Sequence, residues 1–134
     1  MANIDRELLI KKAIEARERS YSPYSNFSVG AALLCVDGTI FMGANIESAS
    51  YSPTSCAERV AFFSAVFAGK RDFLAIAVVG GKAGEEISEF CAPCGVCRQV
   101  MSEFGKDDFE IILFDGKDKK VFTLNEFLPL RFSL

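Results

Sequence analysis

Two short cysteine clusters, Cys56-Ala57-Glu58 and Pro93-Cys94-Gly95-Val96-Cys97, stand 38 positions apart and constrain this chain more than any other feature. Together they offer three thiolates and one carboxylate. Three protein ligands leave a tetrahedral zinc ion one open position, which is the arrangement of a catalytic site; a structural site closes with a fourth ligand. A fold that uses both clusters on one ion must bring two distant segments to one point. Glu58, two residues past Cys56, is then placed to move the protons of a water in the open position.

Five cysteines fit this reading better than a disulfide framework, because the opening Met1-Ala2-Asn3-Ile4-Asp5-Arg6-Glu7 carries charges where a signal peptide carries its apolar stretch. No apolar run approaches membrane-spanning length, so the expected setting is the cytoplasm, where thiols stay reduced, with no membrane partner. The chain has no histidine, which removes His ligands and His-based triads and makes a carboxylate the natural proton carrier. A net charge of −3 gives no basic footprint for a nucleic-acid partner, and so disfavours an RNA-editing role.

Its 134 residues, half of them hydrophobic, suit a single domain spanning residues 1–134. Asn3 to Arg19 repeats apolar residues at helical period, and Asn3 or Asp5 can cap the helix. Ser28 to Val36 and Thr39 to Ile46 flank Asp37-Gly38 as a β-hairpin. Cys56 to Ala68 reads as a helix ended by Gly69, and Phe73 to Val79 as a buried parallel strand ended by Gly80-Gly81. Cys94 to Phe104 is a second helix stopped by Gly105, followed by strands Phe109 to Phe114 and Lys120 to Thr123, the last two antiparallel, and a short helix over Asn125 to Leu128.

Alternating β and α elements of this kind favour an α/β layered fold with helices on both faces of a five-stranded sheet. Between Val60 and Ala68 only Ser64 is polar, so that helix is apolar nearly all round. A sheet covers one side of it, and the other side predicts contact with a second copy of the chain.

Cys56, Cys94 and Cys97 all fall at or near helix starts, where free N–H groups and the positive dipole end favour thiolate. Three thiolates on one Zn²⁺ sum to −1, and Arg59 is the expected compensating charge. Three other readings stay open on the residues alone. Cys94-x-x-Cys97 at a helix start also describes a redox pair. Cys91 or Cys35 could close a four-cysteine structural site. The fold could also be a non-catalytic, zinc-stabilised binding module in which Glu58 is incidental.

A Cys-x-Glu followed by Pro-Cys-x-x-Cys, with Glu as general acid/base, is the signature of zinc nucleobase deaminases. Asn45-Ile46-Glu47, Cys56-Ala57-Glu58-Arg59, the run Pro93 to Val100 and Leu128-Pro129 together resemble the small, homotetrameric zinc-dependent cytidine deaminases over nearly the whole chain. The resemblance implies a three-layer α-β-α arrangement with a five-stranded mixed sheet of the cytidine deaminase-like fold. It implies Zn²⁺ held by Cys56, Cys94 and Cys97, catalysis by Glu58, and an arginine, Arg59, bonded to the thiolates.

For the substrate, the resemblance implies that Asn45 and Glu47 bind the ribose, Phe27 packs on the pyrimidine, and the backbone at Ala57 and Cys56 meets the base edge. Phe132, in Leu128-Pro129-Leu130-Arg131-Phe132, would reach a neighbouring subunit's site. The implied partner is a small nucleoside, and the implied reaction converts cytidine and deoxycytidine to uridine, deoxyuridine and ammonia in pyrimidine salvage. The rival within the enzyme class is a deaminase of a cytosine-bearing antibiotic such as blasticidin S, against which Asn45-x-Glu47 argues.

Overall fold

The computed structural model describes residues 3–134; Met1 and Ala2 of the charged opening lie outside them. Asp5 begins the first helix by accepting a hydrogen bond from the Leu8 amide at 3.0 Å, and α1 then runs Arg6–Arg17. Of the two candidate caps Asp5 is the one used, so the helix starts later than Asn3 would allow, and it ends at Arg17, two residues before Arg19.

The remaining elements are β1 (Phe27–Cys35), β2 (Ile40–Ala44), α2 (Ala57–Phe67), β3 (Phe73–Lys82), α3 (Gly95–Phe104), β4 (Glu110–Phe114), β5 (Lys119–Thr123) and α4 (Leu124–Phe127). The five strands lie in the order β2-β1-β3-β4-β5. β3 and β4 are parallel, whereas β1 pairs antiparallel with both β2 and β3, and β5 antiparallel with β4. The expected mixed sheet is present, and the expected parallel strand β3 is parallel on one side only. β3 also continues through Gly80 and Gly81 to Lys82, past the point where its glycines suggested an end.

Strand side chains alternate between faces, and two cores follow from that alternation. Ala31, Leu33 and Cys35 of β1 join Ala57, Ala61, Phe62 and Ala65 of α2 and Met101 of α3 on one face. Ala32 and Leu34 join Leu9, Ile10 and Ala13 of α1 on the other. Phe62 is fully buried, with its ring centroid 5.2 Å from that of Phe73 and 5.9 Å from those of Phe104 and Phe109. Burial of one such ring contributes about 2–3 kcal/mol, and here it seats α2 on the sheet. The outward side of α2 leaves Phe63 52% and Phe67 95% exposed, as its all-round apolar sequence foretold.

Two glycines let the helices come close: Gly30 of β1, where a Cβ would stand 2.0 Å from the Ala13 carbonyl oxygen of α1, and Gly43 of β2. A Cβ on Gly43 would stand 2.4 Å from the Ala57 carbonyl oxygen and 2.5 Å from the Ala61 nitrogen, both backbone atoms of α2. No side-chain rotation relieves such contacts, so α2 must shift away from β2. We expect Gly43→Ala to cost about 3 kcal/mol in urea unfolding, at the upper end for overpacking. A change below about 0.5 kcal/mol would show that α2 moves freely.

Candidate active site

α2 and α3 pack on the same face of the sheet, and their first turns meet there. Cys56 is the N-cap residue of α2 and Cys94 that of α3, with Cys97 in the first turn of α3. Cys56 Sγ lies 4.0 Å from Cys94 Sγ, and Cys94 Sγ lies 3.4 Å from Cys97 Sγ. All three sulfurs fall within 4.8 Å of one another. Two clusters far apart in sequence thus converge on one point, and the Cys97 amide donates to Cys94 Sγ at 3.5 Å.

The donor set fits zinc. Two sulfurs held tetrahedrally at about 2.3 Å from one ion stand about 3.8 Å apart, which matches these separations. Hydrogen bonding with Cys97 lowers the Cys56 thiol to about 5, helped by the Arg59 guanidinium, while the same bond and burial push Cys97 up. Three thiolates this close repel one another, and a divalent cation between them removes that cost and deprotonates the last. Cys97 is buried and Cys94 exposed, so the cluster has one solvent-facing side for a further, non-protein ligand.

Arg59 Nη2 donates to Cys56 Sγ at 3.3 Å, as expected of the compensating arginine. Its buried Nε has no hydrogen-bond partner among the described residues. Glu58 is 4% exposed, and burial drives its carboxyl up to about 7. A carboxyl balanced near neutrality both takes and gives protons readily. Cys91 and Cys35 do not join the three sulfurs. Burial pushes the Cys91 thiol up to about 11, and its Sγ lies 2.7 Å from where a Cβ on Gly80 would be. Cys35 is buried in β1, its thiol likewise raised by burial.

Asn45 and Glu47 lie just past the end of β2 and are both fastened by their side chains. Asn45 Nδ2 donates to the Phe27 carbonyl at 2.8 Å, and its Oδ1 accepts from the Val29 amide at 2.9 Å. Glu47 Oε1 accepts from the Tyr24 and Ser25 amides at 2.9 and 3.1 Å, and Oε2 from the Ser25 hydroxyl at 2.5 Å. These bonds, the Ser25 hydroxyl first, hold the Glu47 carboxyl below its usual range, so it is ionised at neutral pH. Tyr24, Ser25, Glu47, Ser48, Tyr51 and Thr54 line a cleft of about 270 Å³.

Phe27, at the start of β1, is 42% exposed, and its Cε2 would stand 3.1 Å from a Cβ on Gly80. Phe27 and Cys91 therefore share the floor that Gly80 leaves bare. The sequence reads Gly80-Gly81 as a strand end, although a glycine inside a strand also signals close approach. Ala57, at the start of α2, has no exposed surface, so a ligand meets its amide only by displacing what covers it. Phe132 is 64% exposed, its carbonyl held by Gln99 Nε2 at 3.1 Å, and it is not among the walls of the cleft. Arg98 donates to the Pro93 and Phe127 carbonyls, each at 2.9 Å, and so braces the start of α3.

Residues 3–113 match a family described as the cytidine and deoxycytidylate deaminase zinc-binding region. A cytidine deaminase of Halalkalibacterium halodurans is 49% identical over 131 residues, covering 97% of this chain and 96% of the relative. The 1.6 Å crystal structure of cytidine deaminase from Burkholderia pseudomallei superposes with a TM-score of 0.87 at 48% identity, over 96% of this chain and 100% of that one. A blasticidin-S deaminase of Bacillus cereus is 35% identical over 108 residues, or 78% of this chain. Its likeness is lower and shorter, which weakens the antibiotic alternative. The agreement of sequence, fold and thiol cluster over nearly the full length places the chain in the zinc-dependent cytidine deaminase family.

Proposed function

We propose that this chain hydrolyses cytidine and deoxycytidine to uridine, deoxyuridine and ammonia, serving pyrimidine salvage in the cytoplasm. The carrying observation is the convergence of three thiols within 4.8 Å beside a nearly buried carboxyl. In this reading Cys56, Cys94 and Cys97 hold the Zn²⁺, and residues 1–134 act as one domain. Bound there, zinc supplies Lewis acidity that makes water nucleophilic at neutral pH, tempered by the net −1 of three thiolates.

Glu58 takes one proton from the attacking water and gives it to ring N3, then takes the remaining proton from the new C4 hydroxyl and gives it to the leaving amine as C4=O forms. A C4–O bond forms, the C4–N bond breaks, and ammonia departs. Arg59 draws negative charge from Cys56. Phe27 stacks on the pyrimidine, the Ala57 amide meets the base edge, and Asn45 and Glu47 bind the sugar. The cleft beside Glu47 has a carboxylate and no cation in its walls, which suits a neutral sugar and disfavours polynucleotide.

Exposed Phe63 and Phe67 on α2 support a homo-oligomer, which we read as a tetramer with Phe132 reaching a neighbour's site. An ultraviolet assay against cytidine, deoxycytidine, cytosine, adenosine and blasticidin S, with sedimentation of the same sample, tests the reading. We expect both nucleosides to turn over and the mass to be about four chains. Faster turnover of blasticidin S than of cytidine overturns the substrate assignment, and a monomer overturns the assembly.

A further inference from the structure

Ser20 lies outside every motif discussed above, yet its hydroxyl reaches the amide of Asn45. Ser20 Oγ is 2.5 Å from Asn45 Oδ1 and 3.3 Å from Ser22 Oγ, and Ser22 Oγ is 3.1 Å from Ser28 Oγ. A serine hydroxyl carries one proton, and a carbonyl oxygen only accepts. The single Ser20 proton therefore goes to Oδ1 at 2.5 Å in preference to the longer 3.3 Å contact with Ser22 Oγ. Ser28 is 8% exposed, so the chain of hydroxyls starts inside the protein and ends on Asn45.

The backbone beside this chain is equally fixed. The Tyr21 amide donates to the Asn45 carbonyl, and the Glu47 amide to the Tyr21 carbonyl, both at 2.9 Å. Residues 20–22 thus run alongside Asn45-Ile46-Glu47 as a strap. With the Val29 amide and Ser20 both on Oδ1, the two lone pairs of that oxygen are used. Nδ2 has one proton on the Phe27 carbonyl and one left over. Asn45 can therefore offer a ligand a donor and nothing else.

We propose that Ser20 is a positioning residue for sugar recognition, fixing Asn45 as a pure hydrogen-bond donor. The inference rests on the reading of Asn45 as a sugar ligand. Donation from Ser20 to Oδ1 polarises the amide and strengthens the remaining N–H as a donor. Without Ser20 the oxygen has a free lone pair that competes for the same sugar hydroxyl, or for water, in a site arranged for donation.

The test compares Ser20→Ala, Ser20→Thr, Asn45→Ala and the Ser20→Ala/Asn45→Ala double variant, measuring KM and kcat for cytidine and zinc content in each. One neutral hydrogen bond corresponds to roughly 3–10-fold in affinity. We expect Ser20→Ala to raise KM by that factor with kcat and zinc unchanged, and Ser20→Thr to restore it. Added to Asn45→Ala, the Ser20 change should have no further effect, because it acts through that amide. Independent, multiplying effects, an unchanged KM in Ser20→Ala, or loss of zinc or kcat in it would each overturn the inference while Asn45→Ala still raises KM. An Asn45→Ala protein with wild-type KM would instead sink the sugar-ligand reading itself.

Discussion

Glu58→Gln is expected to lower cytidine turnover by roughly 10²–10⁴-fold, the usual worth of a positioned acid/base, with zinc content and assembly unchanged. The glutamine has almost the same volume in a position that is 4% exposed, so the packing of α2 on β2 has no reason to move. Its amide cannot take up and release a proton near neutrality, whereas the buried carboxyl, raised to about 7, can do both. Glu58 lies beside the three converging sulfurs but is not one of them, so metal retention separates the proton-transfer step from metal binding. Single-turnover assays on metal-checked protein measure the loss. Wild-type turnover would falsify the role of Glu58 and revive the binding-module alternative.

How far the sequence reached can be judged from single residues. Asp37-Gly38 marked the β1–β2 hairpin because its turn needs a positive φ, and Gly38 has φ of 92°. Cys56 and Cys94 marked helix starts, and both are N-cap residues. These signals are local, so they survive without knowledge of neighbours. The order β2-β1-β3 was not legible, since an apolar run such as Phe73 to Val79 says that a strand is buried and not which strands flank it.

The same limit applies within the site. Asn45 and Glu47 were legible as a pair, but not that both are already bonded by residues about 20 positions earlier. Ser20, Ser22 and Ser25 lie in a Ser/Tyr/Pro-rich stretch that reads as a break after a helix. Their pairing with Asn45 and Glu47 follows only once residues 20–25 are laid against the end of β2. Gly43 gave no signal either, because the contact it permits is with the backbone of a helix that follows it in the chain.

Zinc removal carries the largest expected effect on both activity and stability. A chelator strong enough to empty the site should abolish turnover and lower the melting temperature, with both restored by added Zn²⁺. A ligand held at a thousand times its Kd stabilises the folded state by about 4 kcal/mol, which for a domain of this size is roughly 10–20 °C in Tm. The physical reason is that the ion joins the first turns of α2 and α3, which otherwise bring three ionisable sulfurs to within 4.8 Å of one another. Cys97→Ala should show the same deficit without chelator. Cys91→Ala should keep its zinc and its turnover, because the Cys91 thiol is raised to about 11 and packs on bare Gly80 outside the cluster. Loss of zinc from Cys91→Ala would mean that a fourth thiol closes the coordination sphere, which leaves no open position for water and turns a catalytic centre into a structural one.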